Sequence, residues 1–328
     1  MKFVVIGSNS FSGSHFVSKL IDEKHQILGI SRSTEYEKVF TPYSWKVDRS
    51  DFTFIKADLN KDNLLISKKI KEFDPEIIIN FAAQSMVAQS WDFPQDWYQT
   101  NVVSLSLLID EIRKLPSLRK YVHVTTPEVY GSTTDWISEN SQFSPSTPYA
   151  VSRAAGDMHL LAMYRAKNFP VVFTRTANVY GPGQALYRIV PKTILSALLN
   201  RNLRLEGGGT SRRSFIHIDD ASEATYRVAR LGALGQTYHI STNELISIKQ
   251  LVQKIFEKTN GDFAKNVVEI EDRVGKDLGY FLDSSKIRKE LNWQSKVSLD
   301  EGLKQTILWA TENLQELSVK SLNYEHKA

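Results

Sequence analysis

The stretch Lys2-Phe3-Val4-Val5-Ile6-Gly7-Ser8-Asn9-Ser10-Phe11-Ser12-Gly13 decides how this chain is read. Residues 2–6 are an apolar, β-branched run of strand length. A Ser/Gly turn follows at once, and helical periodicity over 13–22 makes the next element a helix. Gly7 permits the tight turn, and Gly13 lets helix and strand pack closely. Backbone N–H groups at the helix start would then face a pyrophosphate. An ordinary Ser/Gly turn is the plain alternative, because a glycine pattern alone is weak. Placement between a first strand and a first helix favours a dinucleotide-binding turn. Gly7, Asn9, Ser10, Phe11 and Gly13 are therefore cofactor-contact candidates.

Further apolar runs at 26–30, 52–56, 77–81, 121–125 and 171–176 read as buried strands. Helical periodicity separates them at 64–72, 101–115 and 149–167. Such alternation predicts an α/β, Rossmann-type doubly wound parallel sheet covered on both faces. Its binding edge lies at the strand C-termini. After Tyr180 the texture changes at Gly181-Pro182-Gly183, with helices expected at 191–199, 219–231, 248–259 and 299–311. Ser247 and Gln250 have capping-box spacing. The expected division is a dinucleotide-binding domain over 1–180, with a later excursion near 215–241. A smaller C-terminal α/β substrate lobe takes most of 181–328. The polar stretch 319–328 is expected to fray.

With 41 basic and 37 acidic side chains, the net charge is only +4, too small to argue for nucleic acid. No cysteine is present, so disulfides, thiolate nucleophiles and Cys-based metal sites are impossible. The seven histidines form no H-x-x-x-H pair, and no metal is expected. No apolar stretch approaches the length of a membrane span. The first residues read as a strand rather than a signal peptide, so a cytoplasmic enzyme is expected.

At the end of the second strand, Ile30-Ser31-Arg32-Ser33 lacks the acidic residue that would hold the adenosine ribose of NAD. Arg32 with Ser31 and Ser33 would instead take a 2′-phosphate, which favours NADP over NAD. Arg32 stacked on adenine, or turned to solvent, is the other reading. Asp58 and Leu59 follow the third strand, where Asp58 is placed to bond adenine. The floor Asn80-Phe81-Ala82-Ala83 brings Ala82 close to the cofactor.

Ordered motifs run along nearly the whole chain. They are Ala82-Ala83-Gln84-Ser85-Met86-Val87, Thr125-Thr126-Pro127-Glu128-Val129-Tyr130-Gly131 and Pro148-Tyr149-Ala150-Val151-Ser152-Arg153. Further along come Asn178-Val179-Tyr180-Gly181-Pro182-Gly183, Arg213-Ser214-Phe215-Ile216-His217-Ile218-Asp219-Asp220 and Arg273-Val274-Gly275. With these the chain resembles the extended short-chain dehydrogenase/reductase family of NAD(P)-dependent epimerases and dehydratases. Within that family it is most similar to the nucleotide-sugar 4,6-dehydratases.

The resemblance implies catalytic roles for Thr126, Glu128, Tyr149 and Arg153. Tyr149 would take a proton from a sugar hydroxyl while Thr126 orients that hydroxyl, and Glu128 would remove the C5 proton. A phenol has a pKa of about 10 and needs a nearby cation to ionise near neutrality. The family supplies lysine for this, whereas here Arg153 stands one helical turn after Tyr149. Tyr149 and Arg153 also count among the cofactor contacts. The family usually has a third glycine where this chain has Ser10, and an aspartate or serine where it has Pro127. Proline offers no proton, so Glu128 acts as both base and acid, or water relays the proton, or the reaction is not a dehydration. Gln84, Ser85, Thr126, Asn178, Arg213 and Arg273 are the implied substrate contacts, the two arginines for the diphosphate. The helices at 101–115 and 149–167 are implied to pair with their counterparts in a homodimer.

A nucleotide-sugar 4-epimerase and a UDP-uronate decarboxylase of the same family remain alternatives, as does a non-catalytic NAD(P)-binding sensor. Decarboxylases carry the same Thr-x-Glu, so Glu128 alone does not separate them.

Overall fold

Strand β1 (Lys2–Ile6) points Phe3 and Val5 to one side of a sheet and Val4 and Ile6 to the other, all four fully or nearly fully buried. A strand buried on both faces needs helices on both faces, and the computed structural model, which describes residues 1–271 and 279–327, has them. Six further strands are β2 (Gln26–Ser31), β3 (Phe52–Lys56), β4 (Ile77–Asn80), β5 (Lys120–Thr125), β6 (Val171–Thr176) and β7 (Thr237–Ile240). Their order across the sheet is β7-β6-β5-β4-β1-β2-β3, and every neighbouring pair is parallel. The chain winds outward from β1 to β3, then returns beside β1 as β4. That reversal opens a crevice at the C-terminal end of β1.

Helices α1 (Phe11–Asp22) and α6 (Ile218–Leu231) cover the Phe3/Val5 face. Helices α2 (Asn63–Phe73), α3 (Leu105–Ile112) and α4 (Pro148–Lys167) cover the Val4/Ile6 face. The helix expected over 101–115 is broken up. A short helix, Pro94–Tyr98, passes through a π-helical stretch, Gln99–Ser104, before α3 begins. In α4, Thr147 caps the start by accepting from the Ala150 N–H, and Asn168 stops it in the left-handed region at φ 54°.

A second core joins α5 (Ile189–Leu198), α7 (Ile248–Lys258) and α8 (Leu299–Glu312) through Val190, Ile194, Leu195, Leu251, Ile255 and Leu303. Ser247 and Gln250 form the capping box that their spacing predicts. Trp309 Nε1 donates to the Val39 carbonyl at 3.2 Å, tying α8 to the loop after β2. The stretch expected to fray does not, over the residues described. From 320 to 327, partly buried and exposed residues alternate strictly, and the buried ones find partners elsewhere in the fold. Polar composition had suggested solvent, but the partners are distant in sequence.

Candidate active site

The glycine turn sits where β1 ends. Gly7 has φ +82°, and a Cβ there would lie 2.7 Å from the Ala82 N. A Cβ on Gly13 would lie 2.1 Å from the Gly7 carbonyl oxygen. Both positions are therefore closed to any larger residue, and the turn presses flat against the end of β4. Ser10 caps α1: its hydroxyl donates to the Gly7 carbonyl at 2.7 Å and accepts from the Gly13 N–H at 3.0 Å. That hydroxyl is engaged within the turn, and Phe11 opens the helix, where N–H groups lack intrahelical partners.

Asn9 braces the turn against β2. Its N–H donates to Ser31 Oγ at 2.9 Å, and its side-chain amide donates to the Ser33 and Thr34 carbonyls at 3.2 and 2.8 Å. The Tyr43 hydroxyl donates to Asn9 Oδ1 at 3.0 Å. Ser31 thus faces the turn, while Arg32 is exposed at the lip of the crevice. Asp58 accepts from the Asn60 N–H at 2.9 Å, with Leu59 buried beside it. Gln84 is buried and locked to Asn101 by two hydrogen bonds, from the Gln84 N–H at 2.9 Å and to the Gln84 carbonyl at 3.0 Å. Ser85 is exposed.

One cavity of about 1010 Å³ runs from the glycine turn to the lobe. Its walls include Arg32, Asp58, Ala82, Gln84, Ser85, Thr126, Glu128, Tyr149, Arg153, Asn178 and Arg213. Thr126 leaves the end of β5 and caps a single turn, Pro127–Tyr130, by accepting from the Glu128 N–H at 3.3 Å. Proline at the first position of that turn has no N–H to lose. The Tyr149 phenol, in the first turn of α4, is buried and lines the same cavity as Thr126 and Glu128. Burial raises its pKa above the ordinary phenol value, and the Glu128 charge pushes the same way. Arg153, Thr126 and Arg188 pull it down by less. Arg153 is buried too, and its Nη2 donates to the Val124 carbonyl beside His123.

Across the cavity, Tyr280 joins two of the expected substrate residues. Its hydroxyl donates to Asn178 Oδ1 at 2.8 Å, and its ring lies 4.8 Å beneath the Arg213 guanidinium. Arg273 lies outside the described residues. Sequence reasoning missed Tyr280, because its partners lie far away in the chain. It also missed Arg188, although that residue closely follows Gly181-Pro182-Gly183 and stands just before α5.

A phenol, a threonine hydroxyl and a carboxylate gathered at the switch point of a doubly wound sheet are the equipment of an extended short-chain dehydrogenase/reductase, and this chain has that architecture. Residues 4–306 match the family described as GDP-mannose 4,6 dehydratase, and the chain belongs to that family of NAD(P)-dependent sugar-nucleotide enzymes. It is 29% identical over 329 residues to the dTDP-glucose 4,6-dehydratase of Xanthomonas campestris, covering 95% of this chain and 93% of that one. A trifunctional UDP-glucose 4,6-dehydratase, 3,5-epimerase and reductase of Arabidopsis thaliana is 30% identical over 322 residues; these cover 94% of this chain but 47% of the plant protein. The chain thus spans about half the length of that relative. Among solved structures, the dTDP-glucose 4,6-dehydratase DesIV from Streptomyces venezuelae, with NAD bound, superimposes at a TM-score of 0.89. Identity there is 29%, with 96% of this chain and 98% of DesIV covered. The residues present fit such a dinucleotide: the two glycines flatten the turn, and Ala82 keeps its opposite wall low.

Proposed function

We propose that this protein is a nucleotide-sugar 4,6-dehydratase, converting a nucleoside-diphosphate hexose to its 4-keto-6-deoxy product. The observation that carries the proposal is that Thr126, Glu128 and the buried Tyr149 phenol line one cavity together with the glycine turn. When bound, NAD(P) supplies a reversible hydride store. Tyr149 takes the proton of the C4 hydroxyl, which Thr126 orients, as that carbon is oxidised. Glu128 then removes the C5 proton, which the new ketone has made acidic. Pro127 has no proton to give, so Glu128 passes the one it took to the hydroxyl leaving C6. With the hydride returned to C6 and a solvent-derived proton taken up at C5, the overall change would be loss of one water.

Asn178, Tyr280 and Arg213 are the proposed grip on the diphosphate, where a guanidinium gives charge-assisted bonds. Arg32 at the end of β2, with no carboxylate in the adjacent Ser31 and Ser33, supports NADP as the preferred cofactor. Val103, Leu107, Val151 and Met158 are exposed on the region of α3 and α4, 39–62% accessible, which supports pairing of two copies through these helices.

The test is incubation with GDP-, UDP-, dTDP- and CDP-hexoses without added oxidant, followed by mass spectrometry in deuterated buffer. A product lighter by one water, with deuterium at C5, is expected. An unchanged mass would replace dehydration by epimerisation, and loss of carbon dioxide from a uronate would replace it by decarboxylation.

A further inference from the structure

Residues 320–327 lie over the crevice rather than beside it. Their alternation puts Lys320, Leu322, Tyr324 and His326 inward and Ser321, Asn323, Glu325 and Lys327 outward, the pattern of an extended segment with one docked face. Lys320 Nζ pairs with Glu37 at 2.8 Å, on the loop after β2. Tyr324 packs edge-on against Tyr187 of the lobe, centroids 5.1 Å apart. The His326 ring stacks on both Phe93 and Trp97, at 4.9 and 5.0 Å, and its Nε2 lies 2.7 Å from Asp96 Oδ2. Finally, the Lys327 carbonyl accepts from Arg32 Nη1 at 3.0 Å and from Gln84 Nε2 at 2.6 Å.

That last pair fixes where the segment passes. Arg32 follows β2, Gln84 follows β4, and β1 lies between those two strands in the sheet. An oxygen bonded to both lips therefore bridges the opening in front of the Gly7 turn. With the segment docked the cavity beneath has a volume of about 1010 Å³, and Lys320 and Ser321, where the segment begins, stand at its edge.

We propose that residues 320–327 complete the cofactor site as a strap, closing over the bound dinucleotide and setting the rate at which it leaves. Entry and exit require the His326 stack, the Tyr324 contact and the Lys327 bridge to let go together. Under the dehydratase reading the cofactor returns to its starting state each cycle, so slow exchange costs no turnover. The strap itself does not depend on that reading.

The experiment uses the full chain and no nucleotide sugar, so it stands apart from the test of the dehydratase reading. The protein is loaded with NADPH or NADH, whichever it binds more tightly, and release is followed by fluorescence after a chase with excess oxidised cofactor. The double variant Tyr324→Ala/His326→Ala should release the cofactor about tenfold faster, while the outward-facing Asn323→Ala should match the parent. In the parent, adding cofactor should slow amide hydrogen exchange across 320–327. Equal release rates in the double variant and the parent would overturn the proposal. So would faster association with unchanged release, or faster exchange of the segment on cofactor binding, because either outcome makes it a plug displaced by the cofactor.

Discussion

Arg153 Nη2 lies 3.4 Å from His123 Nε2, with both side chains at most 3% exposed. Burial, then the charges of Arg153 and Arg175, hold His123 well below the ordinary histidine pKa, so the ring is neutral and can accept from the guanidinium. The guanidinium also donates to the Val124 carbonyl. Its fork is thereby anchored at the end of β5, and it acts on Tyr149 as a fixed charge across the turn of α4. Lysine could place a charge there but could not reproduce the fork.

In the proposed mechanism, charge rather than the fork itself is what Tyr149 needs. Arg153→Lys should therefore keep kcat within about tenfold of the parent, whereas Arg153→Met should lower it by about 10²–10⁴, the range for a positioned acid–base group. Single-turnover assays with the accepted nucleotide sugar measure both. Parent-like turnover in Arg153→Met would remove the cation from the mechanism.

Glu128→Gln should separate the half-reactions. Reduction of bound cofactor by the sugar should persist, while deuterium uptake at C5 and product formation fall by about 10²–10⁴. The pH dependence carries a sign. In the proposed mechanism Tyr149 acts as a base only when ionised, so the oxidation rate should rise with pH through its pKa. The Glu128 charge raises that pKa, so removing it should move the rising limb to lower pH. A limb that stays put would mean the two groups are not coupled.

Acid should destabilise the fold through buried histidines. Burial depresses His15 to about 4 and His239 to about 3 from an ordinary 6.5, and His123 is also pushed down. Each stays neutral in the folded protein while the unfolded chain takes up protons below 6.5. The stability they confer is present above that pH and is lost as pH falls toward the folded values. Tm should hold between pH 7 and 8 and drop progressively below 6.5, as differential scanning calorimetry would record.

Behind the site, Asp157 is fully buried and accepts from Arg175 Nη2 at 2.8 Å and from the Thr125 hydroxyl at 3.1 Å. Arg175 is itself 2% exposed, with its guanidinium 4.9 Å from the Tyr130 ring centre. Removing one partner strands the other charge in the core. Arg175→Met should lower unfolding free energy by about 3–5 kcal/mol, measured by urea denaturation at pH 7. A loss under 1 kcal/mol would mean that water or a neighbour takes over the Asp157 carboxylate.

The sheet was legible because its signals are local: short β-branched runs, and a glycine turn between the first strand and the first helix. Its seventh strand, Thr237–Ile240, comes from the far side of the lobe sequence, within the range expected to return to the large sheet. The π-helical stretch Gln99–Ser104 left no trace, since Asn101 and Ser104 are held by distant groups such as Ser152 and Asn60. Thr126, Glu128 and Tyr149 stood out as candidates through ordered motifs, but the Asn178–Tyr280 bond spans 102 residues and has no pattern of its own. Arg175 was hidden inside a run read as apolar; only the fold reveals the buried Asp157 that makes its charge tolerable. For 320–327 the period-two alternation was present, and polar composition obscured it.

Because all seven strands run the same way, everything chemical leaves the sheet from one rim. The opposite rim, where Gln26, Ile77 and Lys120 begin, is joined by turns carrying exposed residues such as Lys24, Asp74 and Pro116. It faces away from the cavity and tolerates added chain. Tags, surface anchors or fused partner enzymes belong at those turns, where a tethered neighbour can sit without crowding the traffic of sugar nucleotides on the far side.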